Sequence, residues 1–326
     1  MDFFGRKAHS PTQTRLVWVA RHLIFHPPIM RRIGPFHQGQ MSQPVSRRPA
    51  PVRIGFIRNN RRVSDSEIAL PGGKLNRVVR VGNTVHRSAG PWTPTVHALL
   101  RHVRSNGFRF APEPFGYDDE GREVLEYVSG DTIGDAYPWP SWVWSETLLE
   151  QVGRAAADYH SAVADFHPPE PAAWQYPPVD NSPLICHHDL APYNVVTDDG
   201  ELGAIIDWDL AGPGSVQSEL AFIAWQWVPL WRPESTRALG WDEPPDIGRR
   251  LRLLLDSYGL EERSGFIDHV ISRVVQHYES IVVRAAEGIP AYVEIVQEGH
   301  VENMMSTAVY LQSVGSELQE MITQCP

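Results

Sequence analysis

From Glu67 onward, apolar and polar positions alternate in short runs. Ile68-Ala69-Leu70 leads into Pro71-Gly72-Gly73, and Arg77-Val78-Val79-Arg80-Val81 is followed by Gly82-Asn83 and Thr84-Val85-His86-Arg87. Short β-branched runs punctuated by glycine predict strand, turn, strand, tight hairpin, strand. Thr93-Pro94 then opens a stretch predicted helical to about Asn106, with Thr93 as N-cap and Pro94 at the first helical position; Gly107 ends it. A further pair of strands brackets Asp118-Asp119-Glu120-Gly121. The second of them, Glu123-Val124-Leu125-Glu126-Tyr127-Val128, stops at Ser129-Gly130.

Beyond Gly130 the period lengthens. Leu148, Val152, Ala155, Ala156 and Tyr159 share one helical face and predict a long helix over roughly 145–164. Two short strands flank Asp198-Asp199-Gly200. Helical patterning resumes near Ser218 and continues, with breaks, to the C-terminus. The order predicts an α+β fold with a strand-rich lobe over 65–128 and a larger helical lobe over 129–326. A cleft between two such lobes is the expected ligand site.

Residues 1–64 follow no steady period and are rich in Arg, Pro, His and Gln, which predicts a disordered or loosely attached arm; Met41 is an alternative start. The arm holds 12 Lys/Arg against one acid, Asp2, while the remainder holds 17 basic and 38 acidic residues. An acidic body speaks against a nucleic-acid enzyme and suits a cationic substrate. No stretch is long and apolar enough for a spanning helix or a signal core, so no membrane partner is expected. Two cysteines, Cys186 and Cys325, without a C-x-x-C pair, favour a reducing, cytoplasmic setting and speak against a structural zinc site. No G-x-S-x-G nucleophile elbow occurs.

The chemistry gathers in one segment. His187-His188-Asp189-Leu190-Ala191-Pro192-Tyr193-Asn194 places Asp189 and Asn194 five residues apart in a loop, and Asp207 follows thirteen residues later, after the apolar run 202–206. Phosphoryl transfer needs a carboxylate near the attacking hydroxyl, oxygen ligands for magnesium and cations on the phosphates. An amide and a carboxylate on tight loops suit magnesium, which takes few protein oxygens and keeps several waters.

His187-x-Asp189-(four residues)-Asn194 followed by Ile206-Asp207-Trp208 resembles the aminoglycoside phosphotransferase and choline kinase-like family. The resemblance covers roughly 68–224 and implies a two-lobed protein-kinase-like fold, a small antiparallel N-lobe and a helical C-lobe. It implies Asp189 as catalytic base or hydroxyl-orienting group, His187 as loop anchor, and Asn194 and Asp207 as metal ligands. ATP and magnesium are the implied cofactors, and a hydroxyl of a small molecule the implied acceptor. Gly72 and Gly73 fall where the family covers the phosphates, although a plain hairpin turn explains them as well. Glu126 and Val128 fall on the adenine hinge, contacting through backbone C=O and N–H.

Three departures stand out. Arg87 occupies the place of the family's strand lysine. The helix around Val96-His97-Ala98-Leu99-Leu100 offers no glutamate to pair with it, and His97 is either a substitute or an ordinary surface histidine. Ser215 and Glu219 stand where the family commonly shows aspartates; Glu219 either supports the catalytic loop or merely faces a helix start. Asp209 reads as a loop carboxylate or an extra metal contact. Trp225, Trp227, Trp231 and Trp241 are core residues or acceptor walls, and Asp242, Glu243, Asp246, Glu261 and Glu262 solvated acids or a polyamine-attracting rim. A catalytically silent nucleotide-binding module is the alternative, because of Arg87 and the absent glutamate. Acceptor identity and oligomeric state are not legible.

Overall fold

The computed structural model describes residues 67–70, 78–176, 184–241, 243 and 245–323. The basic arm, the loop 71–77 with Gly72 and Gly73, and Asp242 lie outside the described residues. The N-terminal part is an antiparallel sheet of β1 (Ile68–Ala69), β2 (Val79–Val81), β3 (Thr84–Arg87), β4 (Pro114–Tyr117) and β5 (Glu123–Glu126), in the order β1-β2-β3-β5-β4. The expected Gly82-Asn83 hairpin joins β2 to β3, with Gly82 at φ 59. Its positive φ is the conformation for which glycine lacks a Cβ penalty.

Helix α1 (Thr93–Ser105) lies between β3 and β4 in the chain. Its N-cap is Trp92, one residue before the expected Thr93. Thr93 Oγ1 instead accepts from Gly90 N at 2.9 Å, tightening the entry turn. Val96, Leu99, Leu100 and Val103 bury one face of the helix.

The C-terminal part begins with α2 (Glu146–Val163), capped by Ser145, whose side chain accepts from Leu148 N. Leu148, Leu149 and Val152 are wholly buried, each contributing roughly 1.5–3 kcal/mol of hydrophobic stabilisation. The strands here are β6 (Leu184–Cys186), β7 (Val195–Asp198), β8 (Glu201–Ile205) and β9 (Gly212–Gly214), paired β6 with β9 and β7 with β8. The helices are α3 (Val216–Trp227), α4 (Pro233–Ala238), α5 (Ile247–Tyr258), α6 (Phe266–Ala286), α7 (Pro290–Gln297) and α8 (His300–Thr323). A Cβ at Gly153 on α2 would overlap Ser257 Oγ on α5, so glycine sets how closely these helices approach.

The two parts are tied where they meet. Ile205 N donates to Phe110 O at 2.8 Å, and Asp131 and Thr197 exchange both backbone bonds, at 2.7 and 2.9 Å. This is the predicted α+β, two-lobed plan. The helix expected over 145–164 is α2, shortened by its capping serine.

Candidate functional site

The turns after β6 and β8 carry the central residues. His187 is buried; its ring packs edge-on to Trp208 with centroids 4.6 Å apart, its Nε2 bonds to Ile206 O at 3.1 Å, and its Nδ1 accepts from Asp189 N at 3.3 Å. Burial pushes the His187 pKa down to about 4, against the pull of Asp207, so the ring is neutral near pH 7. A neutral imidazole with one donor and one acceptor nitrogen satisfies both backbone partners.

His188 adopts φ 65, a left-handed conformation costing roughly 1–2 kcal/mol for a residue with a Cβ. Surrounding bonds hold it there. His188 N and His187 N each donate to Glu219 at 3.0 Å, and His188 O accepts from Arg273 at 2.8 Å. Glu219 on α3 therefore braces the loop's N–H groups, which decides between its two readings. Burial pushes its carboxyl up to about 7, although those two N–H bonds favour the charged form. Ser215 caps α3, accepting from Ser218 N at 3.3 Å, the capping role a short polar side chain fills.

Asp189 lies in the fixed turn. Its Oδ2 accepts from Asn194 Nδ2 at 2.7 Å and its Oδ1 from Tyr193 Oη at 3.1 Å. Burial, and then the charge of Asp207, push its pKa up to about 7; the Tyr193 and Asn194 bonds pull the other way. Asn194 spends Nδ2 on the Asp189 carboxylate and carbonyl, which leaves its Oδ1 for a ligand. Ile206 N donates to Asn194 O at 2.9 Å and joins this turn to the strand end preceding Asp207. Asp207 sits at φ 60 with its side chain 47% exposed, so one oxygen can face solvent or a cation.

Arg87 is the centre of the second half. Its three nitrogens meet three carboxylates: Nε to Glu123 at 2.5 Å, Nη1 to Asp207 at 2.8 Å and Nη2 to Asp209 at 2.6 Å. Burial opposes its charge, but Asp209, Asp207 and Glu123 outweigh burial and hold its pKa above the usual arginine value. Asp209 is pushed up, by burial first, with Arg87 opposing.

The acid expected on α1 is supplied by β5 instead. Glu123 pairs directly across from Arg87 in the β3–β5 register, is buried, and also accepts from His97 Nε2 at 3.0 Å. His97 is thus a buried partner of the glutamate and not a surface histidine. Glu123 was missed because only strand register reveals it: residues 36 apart become neighbours when β3 and β5 pair. Tyr193 and Arg273 were also missed, for no sequence period marks them.

Glu126 closes β5, with its side chain on Arg104 at 3.2 Å, and Val128 follows half-buried in the connecting segment. Trp225 and Trp227 are fully buried core residues. Trp231, Trp241 and Glu243 instead line an apolar cavity of about 130 Å³ beside α4 and α8. Asp246 caps α5 through Arg249 N, and Glu261 and Glu262 are exposed. Among the described residues no helix is long and apolar enough to cross a membrane.

The sequence profile of the phosphotransferase enzyme family matches residues 170–253. The trifolitoxin immunity protein of Rhizobium leguminosarum bv. trifolii is 36% identical over 219 residues, covering 65% of this chain and 82% of that protein. A choline/ethanolamine kinase family protein from Mesorhizobium loti is similar in fold, with a TM-score of 0.50 at 14% identity, over 80% of this chain and 94% of that one. The GDP complex of aminoglycoside 2'-phosphotransferase-IIIa gives a TM-score of 0.52 at 14% identity, over 76% and 94%. Profile, relative and fold agree with the loop geometry, and the chain belongs to the aminoglycoside phosphotransferase and choline kinase-like family.

Proposed function

We propose that the protein transfers the γ-phosphoryl group of ATP, with magnesium, to a hydroxyl of a small molecule. The observation that carries this reading is the joined turn Asp189–Asn194 with Asp207 beside it. Asp189 takes or orients the acceptor proton. Its elevated pKa, about 7, matches a group that exchanges protons at neutral pH. Asn194 Oδ1 and the half-exposed Asp207 carboxylate fit a hard cation, which takes one or two protein oxygens and retains water. The bound ion would neutralise phosphate charge. His187 anchors the turn, and Arg87 meets the nucleotide phosphates. The backbone of Glu126 and Val128 meets the adenine, and Gly72 and Gly73 cover the phosphates.

The immunity protein among the relatives suggests the acceptor class: a hydroxyl-bearing toxin, disarmed by the added charge. The guanidiniums of Arg273 and Arg284 form no ion pair with a carboxylate among the described residues, and the charge of Arg273 acts on both Asp189 and Glu219. The two guanidiniums bond instead to His188 O and Tyr176 Oη, and to Gln175 O and Tyr292 Oη. A magnesium-dependent ADP-release screen over toxins, amino sugars, macrolides and choline tests the reading. No acceptor-dependent ADP release, with ATP still bound, would overturn it.

One observation favours a second reading, binding without transfer: Arg87 already engages Asp207, the proposed metal ligand. ATP stabilisation that magnesium leaves unchanged, with immunity surviving Asp189→Asn, would select that reading.

A further inference from the structure

The Asp189 carboxylate already holds a hydroxyl. Tyr193 lies in the single turn Pro192–Asn194, and its Oη donates to Asp189 Oδ1 at 3.1 Å. The other carboxylate oxygen is taken by Asn194, so Asp189 is divided between a phenol and an amide. The ring packs edge-on to Trp139, centroids 6.4 Å apart, and the residue is 39% exposed. The phenol is therefore aimed by the loop and by an aromatic neighbour.

A hydroxyl bonded to the base is what phosphoryl transfer asks of its acceptor: the attacking oxygen is the one whose proton the base receives. Tethering adds to this. A group fixed four residues from the base meets it at an effective concentration no diffusing acceptor reaches.

We propose that Tyr193 is itself a phosphoryl acceptor, modified within its own chain at the site used for free acceptors. The proposal rests on the phosphotransferase reading above. Tyr193 Oη forms a bond to the γ-phosphorus of ATP while the bond from that phosphorus to the β–γ bridging oxygen breaks. ADP leaves with the electron pair, and the phenolic proton passes to Asp189. The product carries about −1.5 to −2 charge and has lost its donor. It cannot re-form the bond to Asp189, and Asp189 and Asp207 repel it.

The full-length chain is incubated with ATP and magnesium, and its intact mass is followed beside ADP release. Cleavage before aspartate yields the peptide Asp189–Thr197, in which fragmentation distinguishes Tyr193 from Thr197. The expected result is one phosphoryl group on Tyr193, added at a rate independent of protein concentration. Tyr193→Phe and Asp189→Asn, each shown folded by circular dichroism, lose it. The chain as purified, with and without phosphatase treatment, gives a readout that needs no added nucleotide; the mass is expected to fall on treatment. Unmodified Tyr193 in a sample that phosphorylates a free acceptor or hydrolyses ATP overturns the proposal and spares the parent reading. Equal modification in Asp189→Asn also overturns it. No ADP from any reaction overturns both.

Discussion

The two halves of the site are built in opposite ways. The Asp189–Asn194 turn is held by hydrogen bonds that each join one ionisable group to a neutral one: backbone N–H groups to Glu219, a carbonyl to Arg273, an amide and a phenol to Asp189. The Arg87 half is held by charge, one guanidinium against three carboxylates with His97 behind them. The first arrangement fixes the geometry of the carboxylate, each of whose oxygens already accepts from a neutral donor. The second stores stability in the same cation that a nucleotide would contact. Loss of a residue in the first half should therefore appear in turnover, and in the second half in folding and nucleotide affinity.

The largest expected effect tests the first half. Asp189→Asn should lower turnover by roughly 10²–10⁴-fold while ATP still stabilises the fold, as steady-state rates and thermal shift would show. The next breaks the second half. Glu123→Ala leaves Arg87 Nε and His97 without their buried partner and should cost about 3–5 kcal/mol in chemical denaturation. If it unfolds nothing and only slows transfer, the contrast between the halves is wrong. Arg87→Lys keeps the charge but not the three-way fork, and should raise the KM for ATP about tenfold, the scale of one charged hydrogen bond. Asp209→Asn removes a competing charge from Arg87 and should lower that KM by about threefold, within the scale of one net hydrogen bond.

The smallest effect concerns pH. With its folded pKa raised to about 7, Asp189 is protonated below that pH and becomes a base above it. The rate should therefore rise through pH 7. Tyr193 pulls this pKa down, so Tyr193→Phe should move the acid limb upward by a fraction of a unit, read from kcat/KM against pH.

The same contrast explains what could be read from the sequence. Asp189, Asn194 and Asp207 lie close in the chain on turns that local residues define, so their grouping was legible. The β2–β3 hairpin, α1 and α2 were legible for the same reason: glycine, proline and a 3.6-residue period are local signals. The Arg87 half depends on pairing between distant strands. His97 looked like a surface residue because helical period alone cannot show that β5 places a glutamate against it. The expected missing acid was present, two strands later in the chain. Tryptophan count likewise gave no guide to place: Trp225 fills the core, whereas Trp241 borders a cavity.

The reciprocal backbone pair between Asp131 and Thr197 has a kinetic meaning. It pins the chain just after the segment that joins the lobes, and a Cβ at Gly130 would overlap Thr197 O. The join is thus fixed by two reciprocal bonds, so the Asp131 and Thr197 amides should exchange their hydrogens slowly compared with those of the segment before them.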